Sequence, residues 1–465
     1  MCGIIGISGH ENAAELTFLG LYALQHRGEE AAGIASFDGK EIYLKKAPGL
    51  VDDAFDEKTI HELKGRTAIG HCRYSTTGSS NFKNIQPFLV VHKGRPVAIA
   101  HNGNLTNTQE LYERLEEEGS IFQTTMDSEV IIHLFARAKN GNLQEAFIKV
   151  LTQLEGAFSL IFLVEDTIVG ARDCQGFRPL CLGKIDGKYV LASESCALDL
   201  MQAEFVREIE PGEIVFIKED KIESIFMPEA QKARDEKSNT TSQCIFENIY
   251  FARPDSDIFG DNIYQVRKRL GAQLAKEFPH DADFVMSIPD SGNYAALGYA
   301  QELGLPFEIG IIRNHYIGRT FIQPTQFLRD FRVRVKLNPI HTVLKGKKII
   351  IVEDSIVRGT TSRSRVEELR RAGAKEIHMR ISCPPIKWPC FYGIDFPSRA
   401  ELIASNKSVK EVADFIKVDS LEHLSLEGML GVMNEASNFC AACFNGQYPV
   451  EIPKNTSKYL LEGVA

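Results

Sequence analysis

The second residue of the chain is a cysteine that could act as a nucleophile. The chain begins Met1-Cys2-Gly3, and removal of Met1 would place a free α-amine beside the Cys2 thiol. A thiol with an ordinary pKa of about 8.5 is mostly protonated at neutral pH, whereas an α-amine with a pKa of about 7.7–8.0 can accept its proton. N-terminal amines activate nucleophiles in this way. The alternative is that Cys2 is a small apolar residue at the start of a buried strand.

Three polar clusters farther along the chain could complete such a site. They are Gln25-His26-Arg27-Gly28, Gly70-His71-Cys72-Arg73-Tyr74-Ser75 and His101-Asn102-Gly103-Asn104-Leu105. Asn102 and Gly103 could supply the two donors of an oxyanion hole, or form an ordinary turn. Arg73 offers a fork for a carboxylate, and Asp127 could bind an ammonium group or cap a helix. Together these residues suit an α-amino acid whose side-chain carbonyl is attacked.

A second candidate site follows an apolar strand in the second half of the chain. Lys347–Val352 leads into Glu353 and Asp354, then into a small polar loop that contains Gly359. The backbone N–H groups of such a loop and the start of the next helix can bind a phosphate. Adjacent carboxylates would repel phosphate, so they suit ribose hydroxyls or Mg²⁺. The stretch lacks the Gly-Lys-Ser/Thr of a Walker A loop, and an acidic strand end with an ordinary helix cap is the alternative.

The pattern of elements predicts two domains that would position these sites. Residues 1–230 mix short β-like segments with amphipathic helices, which predicts a layered α+β domain. The polar, aperiodic stretch Ala230–Ser242 predicts a linker, so we divide the chain into domains 2–232 and 243–465. Beyond it, strands such as Phe307–Ile312 alternate with helices, which predicts a parallel, doubly wound sheet. The segment Arg313–Ile322 is either a lid that excludes water or an ordinary polar connection.

Composition narrows the classes of function. The 465 residues carry a net charge of −9, which argues against nucleic acid and anionic membranes as partners. No apolar run approaches the roughly 20 residues that span a bilayer, and no signal peptide is evident. Ten cysteines are too dilute for a disulfide scaffold. We therefore expect a cytoplasmic protein in which some cysteines are catalytic or bind metal.

The first half resembles the N-terminal-nucleophile glutamine amidotransferase domain. The motifs that carry this resemblance are Cys2-Gly3-Ile4-Ile5-Gly6, the three polar clusters above and Asp127-Ser128-Glu129. The resemblance implies a four-layer αββα fold, with Cys2 as the nucleophile and its own amine as the base. It also implies an oxyanion hole at Asn102 and Gly103, and a glutamine clamp at Arg73 and Asp127. Glutamine would be hydrolysed through a γ-glutamyl thioester, which releases ammonia.

Residues 347–361 resemble the type I phosphoribosyltransferase signature for 5-phosphoribosyl-1-pyrophosphate (PRPP). The resemblance implies that Glu353 and Asp354 serve the ribose and Mg²⁺, with Ser291 near the metal. Residues of the following loop would hold the 5′-phosphate: Ser355, Arg358, Gly359, Thr360 and Thr361. A pyrophosphate loop would contain Asp290, Ser291 and Gly292, and Arg319 would belong to a lid. Many relatives have Asp-Asp here, so direct metal contact by the longer Glu353 stays open.

Together the two halves resemble the glutamine phosphoribosylpyrophosphate amidotransferase family. The resemblance implies that PRPP, glutamine and water give 5-phosphoribosylamine, glutamate and pyrophosphate, the first committed step of purine synthesis. It also implies an internal ammonia channel, a homotetramer or homodimer, and feedback inhibition by purine nucleotides. The alternatives are an amidotransferase with another acceptor and a catalytically silent PRPP-binding regulator.

Four cysteines match the ligand contexts of a subgroup of this family that carries a [4Fe–4S] cluster. Cys440 and Cys443 form a C-x-x-C pair, which alone could bind zinc or act in redox chemistry. No second C-x-x-C pair exists to complete a zinc ribbon. Cys244 and Cys390 complete a set of four thiolates suited to the cluster, whereas Cys383 is interpreted as core. The expected role of the cluster is to tie the C-terminal tail to the domain boundary.

Overall fold

The computed structural model describes most of the chain. The described residues are 1–74, 81–138, 142–236, 238, 241–314, 337–396, 398–453 and 461. None of the helices in these ranges combines the length and the apolar character needed to cross a lipid bilayer. Ser75 and Arg319, and with Arg319 most of the predicted lid segment, lie outside the described residues.

Two antiparallel sheets form the centre of the first domain. Their strands are β1 Gly3–Ile7, β2 Ala31–Phe37, β3 Ile42–Pro48, β4 Thr67–Arg73, β5 Phe88–His92, β6 Arg95–Leu105, β7 Gly156–Val164, β8 Thr167–Arg172, β9 Cys181–Ile185, β10 Lys188–Ala192, β11 Glu204–Glu208, β12 Glu213–Lys218 and β13 Lys221–Phe226. One sheet has the order β11-β9-β10-β1-β4-β2-β3, and the other has the order β13-β12-β8-β7-β6-β5.

Strand β1 is apolar throughout and lies between two buried layers. Side chains of a strand point alternately to its two faces. Ile4 packs in the core between the two sheets, whereas Ile5 and Ile7 pack on the other face, beneath helices. All five residues of β1 are buried, because both of its faces are covered.

Helices cover the outer face of each sheet. The helices of this domain are Ala13–Ala23, Val51–Ala54, Glu57–His61, Thr108–Glu117, Asp127–Arg137, Leu143–Leu151, Ser195–Leu200 and Pro228–Asp235. Leu21 and Leu198 lie in the core beneath the first sheet, and Leu115 and Phe147 lie in the core beneath the second. The layers therefore follow the order helix, sheet, sheet, helix, which confirms the predicted αββα fold.

A four-stranded parallel sheet forms the centre of the second domain. Its order is β17-β20-β21-β22, with strands Phe284–Ser287, Lys348–Glu353, Glu376–Ile381 and Ser420–His423. The shorter strands are β14 Gln243–Cys244, β15 Asp257–Ile258, β16 Asp261–Asn262, β18 Ile311–Arg313, β19 Leu337–Pro339 and β23 Phe439–Cys440. The helices are Ile263–Glu277, Asn293–Leu303, His341–Leu344, Thr360–Arg371, Ile403–Asn406, Val409–Ile416, Leu426–Gly431 and Ala442–Asn445. The predicted parallel α/β architecture is confirmed.

Two local predictions were wrong. Phe307–Ile312 is not a strand of the parallel sheet: Phe307 makes a single bridge to Val285, and β18 pairs instead with β19 in a separate antiparallel ribbon. The predicted linker Ala230–Ser242 begins inside the helix Pro228–Asp235, whose first position is a proline, as helix starts favour. Only Ala230 of that helix is buried, so its sequence shows no apolar periodicity.

Candidate active site

Cys2 lies directly before β1 and beside the end of β4. The antiparallel pairing of Gly3 with Cys72 brings Tyr74 next to Cys2. The Cys2 thiol donates to the carbonyl oxygen of Tyr74 at 3.4 Å, and the N–H of Tyr74 lies 3.5 Å from Cys2 Sγ. Burial raises the pKa of the Cys2 thiol, so its deprotonation needs a nearby base.

Met1 is joined to Cys2 by a peptide bond, which uses the nitrogen that would otherwise be the free α-amine of Cys2. Met1 is fully buried, and it packs with residues of the second domain, among them Cys244 and Ile245. Burial lowers the pKa of the Met1 α-amine well below its ordinary value. While Met1 remains, Cys2 has no α-amine to act as its base.

A small cavity beside Cys2 collects most of the residues predicted for glutamine binding. Its lining consists of Cys2, His71, Arg73, Tyr74, Gln86, His101, Gly103, Met126 and Asp127. Cys2, Arg73, Gly103 and Asp127 are thus brought together from positions up to 125 residues apart along the sequence. Arg73 donates through Nη1 to the carbonyl oxygen of Asn84, which orients its guanidinium at the cavity wall.

Asp127 is held by groups around the cavity and does not act as a helix cap. The N-cap of its helix is Met126. One Asp127 oxygen accepts from the N–H of Leu105 at 3.1 Å, and the other lies 3.4 Å from His101 Nδ1. Burial favours the neutral acid, but His101 and the hydrogen bonds outweigh it and lower the pKa of Asp127. An ionised Asp127 is the state that would bind an ammonium group.

Asn102 and Gly103 lie within β6, so the alternative of an ordinary turn is wrong. The Asn102 side chain is fully buried, and neither of its polar atoms has a hydrogen-bond partner among the residues the structure describes. Buried amide groups of this kind are usually satisfied, so Asn102 retains donor capacity for a ligand. Gly103 has φ +155, and a Cβ there would overlap the carbonyl oxygen of Ala157.

A loop of the second domain lies against this strand. Asn104 Nδ2 donates to the carbonyl oxygen of Phe391 at 2.9 Å. A Cβ on Gly393, whose φ is +105, would lie 3.1 Å from the carbonyl carbon of Gly103. Arg178 Nε also donates to the carbonyl oxygen of Tyr392 at 2.9 Å. The backbone of the second domain therefore packs directly on the candidate oxyanion hole.

The second cavity lies at the carboxyl end of β20 and is far larger, about 470 Å³. Its lining includes Ser291, Glu353, Asp354, Ser355, Arg358, Gly359, Thr360 and Thr361. Gly359 has φ +74 and precedes the helix Thr360–Arg371, so the loop ends at a helix N-terminus, as a phosphate site requires. Gly292 lies outside this lining, but a Cβ there would lie 2.6 Å from the Val352 carbonyl oxygen. It therefore allows the turn to approach β20.

Two carboxyl groups lie side by side at the end of β20, where Asp354 is buried and Glu353 is half-buried. Burial and then the neighbouring Asp354 raise the pKa of Glu353 well above its ordinary value. Burial also raises the pKa of Asp354, against hydrogen bonds from Ser291 and Ser355. A cation would relieve both effects, because it would compensate the charge that burial disfavours.

Two of the predicted PRPP ligands have ion-pair partners. Arg358 donates to Glu401 Oε2 through Nε and Nη2, at 3.1 and 2.9 Å. Asp290 pairs with Arg313 through exposed side chains, and it does not line the cavity. These contacts would have to change or be shared if the two residues bind a ligand directly.

Four cysteines meet around one cavity at the domain boundary. Strands β14 and β23 pair in parallel, which sets Cys244 opposite Cys440. Cys390 and Cys443 line the same cavity. Burial, with smaller effects from the surrounding charges, raises the pKa of Cys244 to about 11 and that of Cys440 to about 12. Cys383 is fully buried and is absent from this lining, in keeping with its interpretation as core.

No three His, Cys, Asp or Glu side chains in the described part of the chain are arranged to hold a single metal ion. A [4Fe–4S] cluster binds each thiolate at a different iron, so its ligands need not converge on one point. Mg²⁺ usually keeps several waters and binds one or two carboxylates with substrate phosphates. The four-cysteine cavity and the Glu353–Asp354 pair therefore fit these groups in the chemistry of their donors.

The cavity beside Cys2 and the cavity at the end of β20 share one lining residue. Tyr74 lines both the cavity beside Cys2 and the cavity at the end of β20.

Gln86 was missed by sequence reasoning, although its Oε1 accepts from the His101 N–H at 2.8 Å and it lines the first cavity. No local pattern marks Gln86, because its role depends on a neighbouring strand.

Comparisons with known proteins agree with this two-site architecture. The glutamine amidotransferase domain family matches residues 71–200, and the phosphoribosyl transferase domain family matches residues 257–395. The fold and the two cavities thus define a glutamine amidotransferase joined to a phosphoribosyltransferase.

Relatives of nearly full length identify the family. An amidophosphoribosyltransferase of Synechocystis is 50% identical, covering 100% of this chain and 94% of its own length. One of Archaeoglobus fulgidus is 46% identical, covering 97% and 99%. The glutamine PRPP amidotransferase from B. subtilis, solved with ADP and GMP, has a TM-score of 0.91 at 44% identity, covering 98% and 99%. The chain belongs to the amidophosphoribosyltransferase family, the pentosyltransferases of purine biosynthesis.

Proposed function

We propose that this chain forms 5-phosphoribosylamine at one site with ammonia released from glutamine at the other. The observation that carries the proposal is the pair of cavities in one chain. One contains Cys2 with Arg73 and Asp127, and the other contains the acidic strand end and the loop of residues 353–361.

Cys2 would begin the reaction at the first site. Its thiolate attacks the side-chain carbonyl carbon of glutamine, and its α-amine accepts the thiol proton. Asn102 and the N–H of Gly103 would stabilise the oxyanion. Arg73 would bind the glutamine carboxylate and Asp127 its ammonium group. Collapse of the tetrahedral intermediate, with the proton returned from the α-ammonium group to the leaving nitrogen, expels ammonia. Water then hydrolyses the thioester, which gives glutamate and regenerates the Cys2 thiol.

The second site would bind PRPP. The N–H groups at the start of the helix Thr360–Arg371, with Ser355 and Thr361, suit the 5′-phosphate. Asp354 and Glu353 would hold Mg²⁺ or the ribose hydroxyls, with Ser291 nearby. When bound, Mg²⁺ neutralises charge on the pyrophosphate leaving group. Ammonia would attack C1 of the ribose as pyrophosphate departs, and we infer an internal passage past Tyr74, which lines both cavities.

The four cysteines would hold a [4Fe–4S] cluster with a structural role. Cys244 begins the second domain, Cys440 and Cys443 belong to the C-terminal region, and their strands β14 and β23 are paired. A cluster would therefore fasten these segments together. The loop that follows Cys390 packs on β6 of the first domain, so the same ligand set borders the domain interface.

Purine nucleotides are proposed as regulators of this chain. The relative from B. subtilis was solved with ADP and GMP, and another solved relative at 44% identity and TM-score 0.92 is described as the allosteric regulatory enzyme of purine biosynthesis. We further propose a cytoplasmic homodimer or homotetramer, as the family resemblance implies.

The proposed function is tested by one assay. Purified protein with Mg²⁺, glutamine and PRPP should release phosphoribosylamine, glutamate and pyrophosphate in equal amounts, and N-terminal sequencing of the same sample should give Cys2 as the first residue. Omission of PRPP should abolish phosphoribosylamine. Glutamate release without phosphoribosylamine would favour another acceptor, and neither product would favour a silent PRPP-binding regulator.

The cluster has its own test. Protein purified without oxygen should be brown and contain iron and acid-labile sulfide in equal amounts, and Cys440→Ser should remove both. Cys383→Ser is the matched control, because Cys383 is buried in the same domain but absent from the four-cysteine cavity. Stoichiometric zinc in place of iron would contradict the proposal.

A further inference from the structure

A fully buried arginine connects the backbone of Cys2 to the second domain. Arg27 Nε donates to the carbonyl oxygen of Cys2 at 2.9 Å. The same guanidinium forms a two-pronged contact with Glu247, at 2.8 Å from Nη2 and 3.1 Å from Nη1. The side chains of Arg27 and Glu247 have no exposed area. The carbonyl group of Cys2 is thus held by a cation that a carboxylate of the second domain orients.

A second carboxylate completes the arrangement. Glu194 accepts from Arg27 Nη1 and from His26 Nε2 at 2.8 Å. Its other oxygen accepts from Ser256 Oγ at 2.7 Å and from the N–H of Arg253 at 2.9 Å. Ser256 and Arg253 belong to the second domain, whereas Glu194 belongs to the first. Each domain therefore contributes one carboxylate to the contact, Glu247 from the second and Glu194 from the first.

The charges in this group are mutually dependent. Burial opposes the charge of Arg27, but Glu247 and Glu194 outweigh it, so the pKa of the guanidinium lies above its ordinary value. Burial also opposes the charge of Glu194, but His26 and Arg27 hold its pKa well below its ordinary value. Removing one partner from a buried ion pair leaves an uncompensated charge. Arg27 would then shift, and with it the carbonyl group of Cys2.

We propose that Glu247 is a positioning residue for glutamine hydrolysis, and that through Arg27 it fixes the orientation of Cys2. The glutaminase site is then complete only when the second domain is docked against the first. This inference rests on the proposed assignment of Cys2 as the nucleophile. Glu247 is absent from the lining of the Cys2 cavity, so its effect on the reaction is transmitted by Arg27.

The test is the reactivity of Cys2 in Glu247→Gln. The amide keeps the shape of the side chain but removes its charge. Labelling of Cys2 by a diazoketone analogue of glutamine is followed by mass spectrometry, on protein whose first residue is Cys2. We expect labelling and glutamine-dependent kcat to fall together by about tenfold to a hundredfold, since small misplacements of reacting groups have effects of this size. The ammonia-dependent reaction and the KM for PRPP should not change.

Two further variants separate positioning from stability. Glu213 is also buried, and it binds Arg207 in a two-pronged contact at 2.6 and 2.7 Å within the first domain. Glu213→Gln should lower the melting temperature as Glu247→Gln does and leave labelling unchanged. Glu247→Asp restores the charge and should recover part of the labelling rate.

Three outcomes would overturn the inference. Labelling of Glu247→Gln at the wild-type rate would show that the charge does not position Cys2. Equal slowing in Glu213→Gln would show a general effect of lost stability. Absence of Cys2 labelling in the wild-type protein would refute the nucleophile assignment itself, which is a distinct failure of the proposed function.

Discussion

Replacing Cys2 with serine is expected to lower glutamine-dependent formation of phosphoribosylamine by at least about a thousandfold and to spare the reaction with free ammonia. The hydroxyl of serine is a weaker nucleophile than a thiol, because it is far less acidic and leaves much less of the ionised form to attack the carbonyl carbon. The ammonia-dependent reaction needs only the cavity at the end of β20, which contains no part of Cys2. Both rates are measured on the same preparation, as the loss of PRPP with either glutamine or free ammonia as the nitrogen source.

Cys181→Ser is the matched control for this variant. Cys181 is buried in β9, which belongs to the same sheet as β1, and its thiol donates to the Ala192 carbonyl oxygen at 3.3 Å, a bond that serine can keep. It should retain both activities. Loss of both activities in a folded Cys2→Ser protein would contradict the division of labour between the two cavities.

Replacing Asp354 with asparagine is expected to remove synthesis with either nitrogen source, by at least about a thousandfold. Asp354 is buried at the carboxyl end of β20 beside Glu353, and Ser355 Oγ donates to it at 2.6 Å. Asparagine keeps the shape of the side chain but loses the charge that would serve Mg²⁺ or the ribose. Labelling of Cys2 by the glutamine analogue without PRPP should stay unchanged, since Asp354 does not line that cavity.

The control for Asp354 lies at the other end of the same sheet. Asp283 precedes β17, and its carboxylate accepts from the Lys348 N–H at 2.8 Å and from Lys347 Nζ at 3.1 Å. Asp283→Asn should keep full activity with both nitrogen sources. If Asp354→Asn retained more than about a tenth of the ammonia-dependent rate, the carboxylate would not be the group that the PRPP reaction requires.

The sequence alone predicted the local features correctly where local chemistry decides them. Apolar patterning placed the strand Lys347–Val352 within one residue, at each end, of the observed β20, because a continuous apolar run bounded by polar residues is typical of a buried strand. The motifs around Cys2, Arg73 and Asp127 predicted residues that the structure places around one cavity.

Predictions failed or stayed open where a segment is compatible with more than one structure and only its partners in the folded protein decide between them. Phe307–Ile312 is apolar enough for a strand, but Ile311 pairs with Pro339 on β19 instead of joining the parallel sheet. Asn102-Gly103 has the composition of a turn, yet it continues β6 beside β7. In both cases the pairing partner decided the outcome, since β-structure depends on tertiary context more than on local preference.

What the sequence determined by itself was which chemistry to expect: a candidate nucleophile at Cys2, a candidate amino-acid clamp, and an acidic strand end followed by a candidate phosphate-binding loop. What only the tertiary structure decided was how these parts meet. Arg27 and Glu247 are 220 positions apart in the sequence, and Asn104 and Phe391 are 287 apart. No local sequence pattern therefore predicts either contact. Such contacts exist because burying a charge or a backbone carbonyl is favourable only with its partner in place, and folding alone brings the two partners together.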